Sequence, residues 1–157
     1  MRKSVVAILG CLTLGLIGIA GPASATGVGN QGCTPGYWKN HTSNWQEVPP
    51  SRLFSAPFSP GTSGVLQGLT LEQTLAGGGG PGVAGAEVIL ARAATAAFLN
   101  AAHDGVLYPW RRSAEGLDGR PPLLATVNAA LASGDRQTMI DLASRLDTDN
   151  NLGCPLN

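Results

Sequence analysis

The sequence contains few of the residue types that perform most protein chemistry. Its 157 residues include three cysteines and two histidines, and only 13% of the side chains are charged. No cysteine pair has the C-x-x-C spacing of a redox motif, and no closely spaced set of zinc ligands occurs. A G-x-S-x-G motif is also missing, and the acidic residues are too scattered for a paired-acid glycosidase. The sequence therefore predicts no catalytic residues, no metal ligands and no cofactor.

The N-terminus predicts export. Arg2 and Lys3 precede an apolar run of signal-peptide length, and residues 23–25, ASA, form a small-x-small cleavage site. We expect residues 1–25 to be a cleaved signal peptide. The alternatives are an uncleaved membrane anchor, which the cleavage triplet opposes, and a lipoprotein lipidated at Cys11, which would leave only a stub of the apolar segment.

Cleavage would leave residues 26–157 as a single secreted domain without a membrane span. Two of the ten basic residues leave with the signal peptide while all ten acidic residues stay, so the net charge becomes −2 and no basic surface for nucleic acid remains. Two cysteines also remain, Cys33 and Cys154, and in an oxidising compartment they predict one disulfide. By the loop-entropy model, a bond that joins the domain ends contributes at most about 4–5 kcal/mol.

The periodicity predicts an all-α fold, a small bundle of about four helices joined by irregular straps rich in proline and glycine. Thr70 is a suitable N-cap with Gln73 three residues later, and the short helix they begin ends at the glycine run 77–82. The Ala-rich segment 83–105 is apolar on nearly every side, so we expect it to be the buried central helix. No β-type alternation of useful length occurs.

Two further helices are predicted in the C-terminal part. Residues 122–134 have leucines at helical spacing, and Ser133-Gly134 ends this helix. Asp135 is expected to cap a final helix over residues 136–146. The alternating acidic and amide residues that follow resemble the start of a calcium loop, but the glycine is displaced and no glutamate follows, so we interpret this segment as a C-terminal turn: Asp147, Asp149 and Asn151.

Two expectations concern burial. Arg92 lies on the same face of the central helix as His103 and apolar side chains, so we expect it to be buried and paired with carbonyls or a carboxylate; the alternative is one wall of a site. Leu53, Phe54 and Phe58 are expected to anchor an irregular strap over the core.

The most specific pattern in the chain is C-T-P-G-Y-W-K-N-H, from Cys33 to His41, which is followed by Trp45. It resembles the N-terminal motif of a family of small exported bacterial proteins. The resemblance implies an exported domain and no particular reaction, because no biochemical activity is established for that family. The likeness continues in LNAAH (99–103), YP (108–109), VNAALASGD (127–135) and NNLGCP (150–155), whereas WRRSAEGLDGRPP (110–122) departs from the family pattern.

The motif also has a direct physical interpretation. Thr34 and Pro35 suit the N-cap and first turn of a short helix over residues 37–45, which places Trp38 and Trp45 on one face. We expect these indoles to form a lid on the bundle. The alternative is an exposed aromatic platform for carbohydrate or peptide that includes Trp110.

Two hypotheses for function follow. The first is a secreted, non-catalytic extracellular domain, structural or ligand-binding, whose partner is a cell-envelope polymer, a carbohydrate or a protein. The second is a small hydrolase or metal-dependent enzyme that uses His41, His103, Lys39 and Asp104. Lys39, the only lysine after cleavage, would act as a desolvated nucleophile or crosslink to an asparagine, or else pair with a carboxylate or extend past Trp38. The candidate binding residues are Tyr37, Trp38, Lys39, His41, Trp45, His103, Tyr108 and Trp110.

Overall fold

The computed structural model describes residues 29–156. In this range it contains five α-helices and no β-strand. The helices are α1 Pro35–Asn40, α2 Leu71–Leu75, α3 Gly82–Ala102, α4 Leu123–Ser133 and α5 Arg136–Asn150, and two short 3₁₀ segments span Thr42–Asn44 and Leu117–Gly119. The predicted all-α class is confirmed. The predicted signal peptide, residues 1–25, lies outside the described residues.

Helix α3 contacts each of the four other helices, and most extensively α5. By length and composition alone it could cross a membrane, but 67% of its most apolar window is buried inside the domain. The core helix of a globular protein passes the same test, because it too is apolar on every side. The many alanines of α3 let neighbouring backbones approach closely, since interaxial distance depends on the side chains at the contact.

Local capping explains where three helices begin or end. Thr70 Oγ1 accepts from the Gln73 amide at 3.2 Å while Gln73 Oε1 accepts from the Thr70 amide at 2.8 Å, which is the predicted capping box of α2. Gly134 has a left-handed φ of 63° and ends α4. Asp135 Oδ1 then accepts from the Thr138 amide at 2.7 Å and begins α5. These three sequence signals are confirmed.

Two helix ends differ from the prediction. Helix α3 stops at Ala102, because His103 is extended and its Nδ1 accepts from the Gly105 amide at 3.0 Å. Helix α5 continues through Asn150, so Asp147 and Asp149 belong to its last turn and the interpretation of this segment as a separate turn is wrong. Helix α3 ends early because the His103 side chain bonds to the backbone that follows it. Helix α5 continues because the polar side chains of its last turn enter the core.

Two burial predictions are also wrong. Arg92 is exposed, and Leu53 is 48% exposed. Of the three predicted apolar anchors, only the two phenylalanines are buried: the rings of Phe54 and Phe58 lie 4.9 Å apart, and Phe58 meets Phe98 of α3 edge to face at 5.7 Å. A helical wheel shows which face of a helix a residue occupies, but not where along the helix the neighbouring elements end. For this reason the predicted burial of Arg92 is wrong.

A buried carboxylate of α3 holds the next part of the strap. Glu87 Oε1 accepts from the amides of Thr62 and Ser63 at 2.7 and 3.0 Å, and Glu87 Oε2 accepts from the Ser63 hydroxyl. Burial would raise the pKa of Glu87, but these hydrogen bonds outweigh it and hold the pKa below its usual 4.5. A Cβ at Gly61, where φ is +80°, would lie 2.5 Å from Glu87 Cδ, so this turn requires glycine.

Candidate functional site

The two ends of the described chain are joined by the predicted disulfide. Cys33 and Cys154 are bonded across a sequence separation of 121, with their Cα atoms 4.4 Å apart. Next to the bond, the Gly32 amide donates to the Gly153 carbonyl at 3.1 Å. A Cβ at Gly32 would lie 2.1 Å from the Asp149 carbonyl oxygen, so the N-terminal segment packs directly on the end of α5. The predicted disulfide is confirmed.

Helix α1 carries the motif and is shorter than predicted. Thr34 Oγ1 accepts from the Tyr37 amide at 3.1 Å, which confirms the predicted N-cap. The helix ends before His41, whose φ of −127° is not helical, so the predicted helix over residues 37–45 is wrong. Trp45 nevertheless returns to α1, because its Nε1 donates to the Trp38 carbonyl at 3.0 Å.

Asn100 of α3 has a fully buried amide that joins α3 to the N-terminal segment and to α5. Its Oδ1 accepts from the Cys33 amide at 2.8 Å and from Trp38 Nε1 at 3.0 Å. Its Nδ2 donates to the Cys33 carbonyl at 2.9 Å and to Asn150 Oδ1 at 2.9 Å. Both donors and both lone pairs of the amide are therefore used, which is the condition for a buried polar side chain to stabilise a fold.

The same set of hydrogen bonds continues through Asn150 of α5. Asn150 Oδ1 also accepts from the Tyr108 hydroxyl at 2.8 Å, and Asn150 Nδ2 donates to the Ala93 carbonyl at 3.0 Å. Burial, together with the nearby Asp149 carboxylate, raises the pKa of Tyr108 well above 10, so its hydroxyl stays a donor at physiological pH. We call Cys33, Trp38, Asn100, Tyr108 and Asn150 the Asn100 network.

A second buried cluster lies one residue earlier on α5. Asp149 Oδ2 accepts from Trp110 Nε1 at 2.6 Å and from Arg120 Nε at 3.0 Å, and Asp149 Oδ1 accepts from Arg120 Nη2 at 3.1 Å. The two-pronged guanidinium contact is the strong geometry for an arginine and a carboxylate. The segment from Trp110 to Arg120 is thus tied to the core at both ends.

These contacts give the motif an architectural role. Trp38, Tyr108 and Trp110 are at most 1% exposed, so the alternative in which Trp110 joins an exposed aromatic platform is wrong. Within residues 29–156, no buried side-chain nitrogen or oxygen lacks a partner. Sequence reasoning missed the roles of Asn100 and Asn150. The available signal was an asparagine within an otherwise apolar helix, because a buried amide demands partners.

The remaining candidate residues lie at the surface or at its edge. Lys39 and His41 are exposed, and Trp45 is half-buried. The His41 ring stacks on Tyr37 at 4.2 Å, and His41 Nδ1 donates to the Tyr37 carbonyl at 2.9 Å, which leaves Nε2 as the acceptor of a neutral ring. Tyr37 is itself held in place, since its hydroxyl donates to the carbonyl of Leu156 at 3.2 Å.

The second histidine has a different environment. His103 is half-buried, and its ring lies 5.8 Å from that of Trp38, whereas His41 packs on Tyr37. Asp104 is exposed, and its backbone amide donates to Gln46 Oε1 at 2.9 Å. Across residues 29–156, no group of three histidine, cysteine, aspartate or glutamate side chains is placed to hold a metal ion.

A groove of about 400 Å³ runs between α1 and the segment after α5, and we call it the terminal groove. Its polar side chains are Thr34, Tyr37, Asn40 and His41 on the α1 side and Asn151 on the other. The rest of its lining consists of glycines and the disulfide-bonded Cys154. No aspartate, glutamate, lysine or arginine lines it, so the groove offers hydroxyl, amide, imidazole and backbone groups without a fixed charge.

Compared with protein-family models, curated proteins and solved structures, the chain matches none of them. The resemblance of the motif to small exported bacterial proteins stays a prediction.

Proposed function

We propose that the chain is an exported, non-catalytic extracellular domain that binds an uncharged saccharide segment of a cell-envelope polymer in the terminal groove. The observation that carries the proposal is that the residues of the motif fall into two groups. Cys33 and Trp38 are buried and bonded within the Asn100 network, whereas Asn40 and His41 remain exposed along the groove. The disulfide and the helices packed on α3 then serve as a rigid support for that surface.

The chemistry of the groove favours a saccharide. Sugar rings are recognised by a flat ring face with a polar edge, together with amides and hydroxyls that both donate and accept. The His41 ring, backed by Tyr37, offers such a face, and Asn40 and Asn151 offer amides on the two sides of the groove. The lack of charged lining residues favours an uncharged ligand, because a buried unpaired charge is costly.

The same lining argues against hydrolysis. General acid–base catalysis needs a positioned pair of groups, and His41 is the only histidine, aspartate, glutamate or lysine that lines the groove. A lysine nucleophile requires a desolvated environment, whereas Lys39 is exposed. No contact unites His41, His103 and Lys39, so no observation favours the enzyme hypothesis over binding.

The test is an NMR titration of the disulfide-bonded protein with an N-acetylglucosamine tetramer and with soluble peptidoglycan fragments. We expect shift changes at the amides of Asn40, His41 and Asn151. His41→Ala is expected to weaken binding about two- to tenfold, since a stacked contact contributes about 0.5–1.5 kcal/mol. Ser43→Ala is the matched control, because Ser43 is exposed beside α1 but does not line the groove. Equal affinity of the two variants, or shifts confined to another surface, would contradict the proposal.

Export has its own test. Expressed with its natural N-terminus in a bacterial host, the protein is expected outside the cytoplasm, beginning at Thr26 and carrying one disulfide. Intact-mass measurement before and after reduction reads both features. A full-length chain in the membrane fraction, or a mass that indicates lipidation, would contradict this part of the proposal.

A further inference from the structure

A second cavity, of about 170 Å³, lies between α3, α5 and the glycine-rich turn that precedes α3. Arg92 of α3 and Asp147 of α5 both line it, and Ser144 adds a hydroxyl. The rest of the lining is apolar or backbone, with Ile89 and Ala93 as the apolar part of the α3 side. We call it the Arg92–Asp147 cavity. It shares no lining residue with the terminal groove.

The two charges of this cavity have no partner in the described part of the chain. Among residues 29–156, the side chains of Arg92 and Asp147 form neither a hydrogen bond nor an ion pair, although they line the same cavity. By contrast, Arg112 pairs with Glu47 at 2.6 Å, and Arg120 pairs with Asp149. An opposite pair that faces one cavity without meeting is complementary to a ligand that carries both charges.

We infer that the Arg92–Asp147 cavity binds an aliphatic α-amino acid as its zwitterion. The guanidinium of Arg92 suits the carboxylate, Asp147 suits the ammonium group, and Ile89 and Ala93 suit an aliphatic side chain. The volume is below the range of about 300–1,000 Å³ that holds drug-sized ligands, so the ligand is small.

The helices that line the cavity are held in place before a ligand binds. The Ala93 carbonyl, next to Arg92, accepts from Asn150 Nδ2 at 3.0 Å, and this bond joins α3 to α5 beside the cavity. Both charged residues therefore lie on helices whose separation is set by the core. Little ordering of the backbone is required when the ligand binds, which favours affinity. The inference goes beyond the proposed saccharide binding and does not depend on it.

The first test compares L-leucine with two analogues in an NMR titration of the disulfide-bonded protein. We expect leucine to shift the amides of Ile89, Arg92 and Asp147. N-Acetyl-leucine lacks the ammonium group and leucinamide lacks the carboxylate, so each is expected to bind at least tenfold more weakly. The absence of leucine-induced shifts at these residues, or equal affinity for leucine and either analogue, would overturn the inference.

The second test uses neutral variants of the two charged residues. Arg92→Met and Asp147→Asn are each expected to weaken leucine binding at least tenfold while leaving saccharide binding unchanged. Arg111→Met and Asp104→Asn are the matched controls, because both residues are exposed, remote in sequence from the cavity lining and absent from it. Far-UV circular dichroism checks that each variant is folded. Unchanged leucine affinity in both neutral variants would overturn the inference, whatever the outcome of the saccharide titration.

Discussion

Replacing Asn100 by leucine tests whether the buried network is what holds the two chain ends to α3. Leucine has the same number of side-chain heavy atoms as asparagine, branched at the same carbon, so the change removes the hydrogen bonds while keeping the side-chain shape. Three groups lose their partner: the amide and the carbonyl of Cys33, and Nε1 of Trp38. Asn150 Oδ1 keeps its bond from the Tyr108 hydroxyl.

The expected loss of stability follows from these three groups. A buried donor or acceptor left unpaired costs about 1–3 kcal/mol, so Asn100→Leu is expected to lower the free energy of unfolding by about 3–9 kcal/mol. Natural domains have a net stability of about 5–15 kcal/mol. The substitution is therefore expected to leave the protein marginally stable or unfolded, even though it makes the core more apolar.

The assay is urea unfolding followed by tryptophan fluorescence, with Asn128→Leu as the matched control. Asn128 is half-buried and its Oδ1 accepts one hydrogen bond, from the Ser59 amide at 2.6 Å, so its replacement is expected to cost about 1 kcal/mol. Trp38→Phe removes one bond of the network and is expected to fall between the two. If Asn100→Leu costs no more than Asn128→Leu, the hydrogen bonds of Asn100 do not hold the fold together and the reasoning is refuted.

Three further substitutions test other parts of the fold. Replacing Cys33 and Cys154 together by serine is expected to cost at most about 4–5 kcal/mol in urea unfolding, and a loss below about 1 kcal/mol would count against the loop-entropy argument. In Glu87→Gln, part of the acid sensitivity is expected to disappear: hydrogen bonds hold the folded pKa below 4.5, so the wild-type contribution is complete above that value and is lost as the pH falls through the folded pKa. Identical stability profiles of wild type and variant between about pH 3 and pH 7 would contradict this assignment. Gly32→Ala is expected to cost about 1–3 kcal/mol, because its Cβ would meet a backbone oxygen of α5 at 2.1 Å. Gly78→Ala, whose Cβ meets no atom within 4 Å, is the control. Equal urea midpoints of the two variants would show that the close approach is relaxed at no cost.

Much of the fold could be predicted because its signals are local. The capping box at Thr70, the left-handed Gly134 and the N-caps Thr34 and Asp135 each act within a few residues, and all four are present in the structure. Arg92 failed because its exposure depends on where α5 and the glycine-rich turn leave a cavity, which no short-range pattern reports. The helix expected over residues 37–45 failed for a related reason, since the backbone leaves the helix at His41 and Trp45 returns to α1 through its side chain, whose Nε1 donates to the Trp38 carbonyl.

The candidate site was harder to predict than the fold. Trp38 of the motif and Trp110 are residues that a binding platform would use, yet Trp38 donates to Asn100 and Trp110 donates to Asp149, so their polar edges face inward. Whether an indole lies in a core or on a surface depends on where its N–H finds an acceptor, and here the acceptor lies 62 or 39 residues away in sequence. The exposed pair Asn40 and His41 could be separated from the rest of the motif only once those partners were known.

The sequence separations within the Asn100 network constrain when this protein can fold. Asn100 bonds to Cys33 across 67 residues and to Asn150 across 50, so its amide is not satisfied until both outer segments are available. While residue 150 is still inside the ribosome, the Asn100 amide lacks its partner on α5, and α5 does not yet cover the apolar surface of α3. The emerging chain therefore lacks a stable partly folded form. Completion of the core, and with it the pairing of Cys33 with Cys154, has to wait until α5 is available to both of its partners.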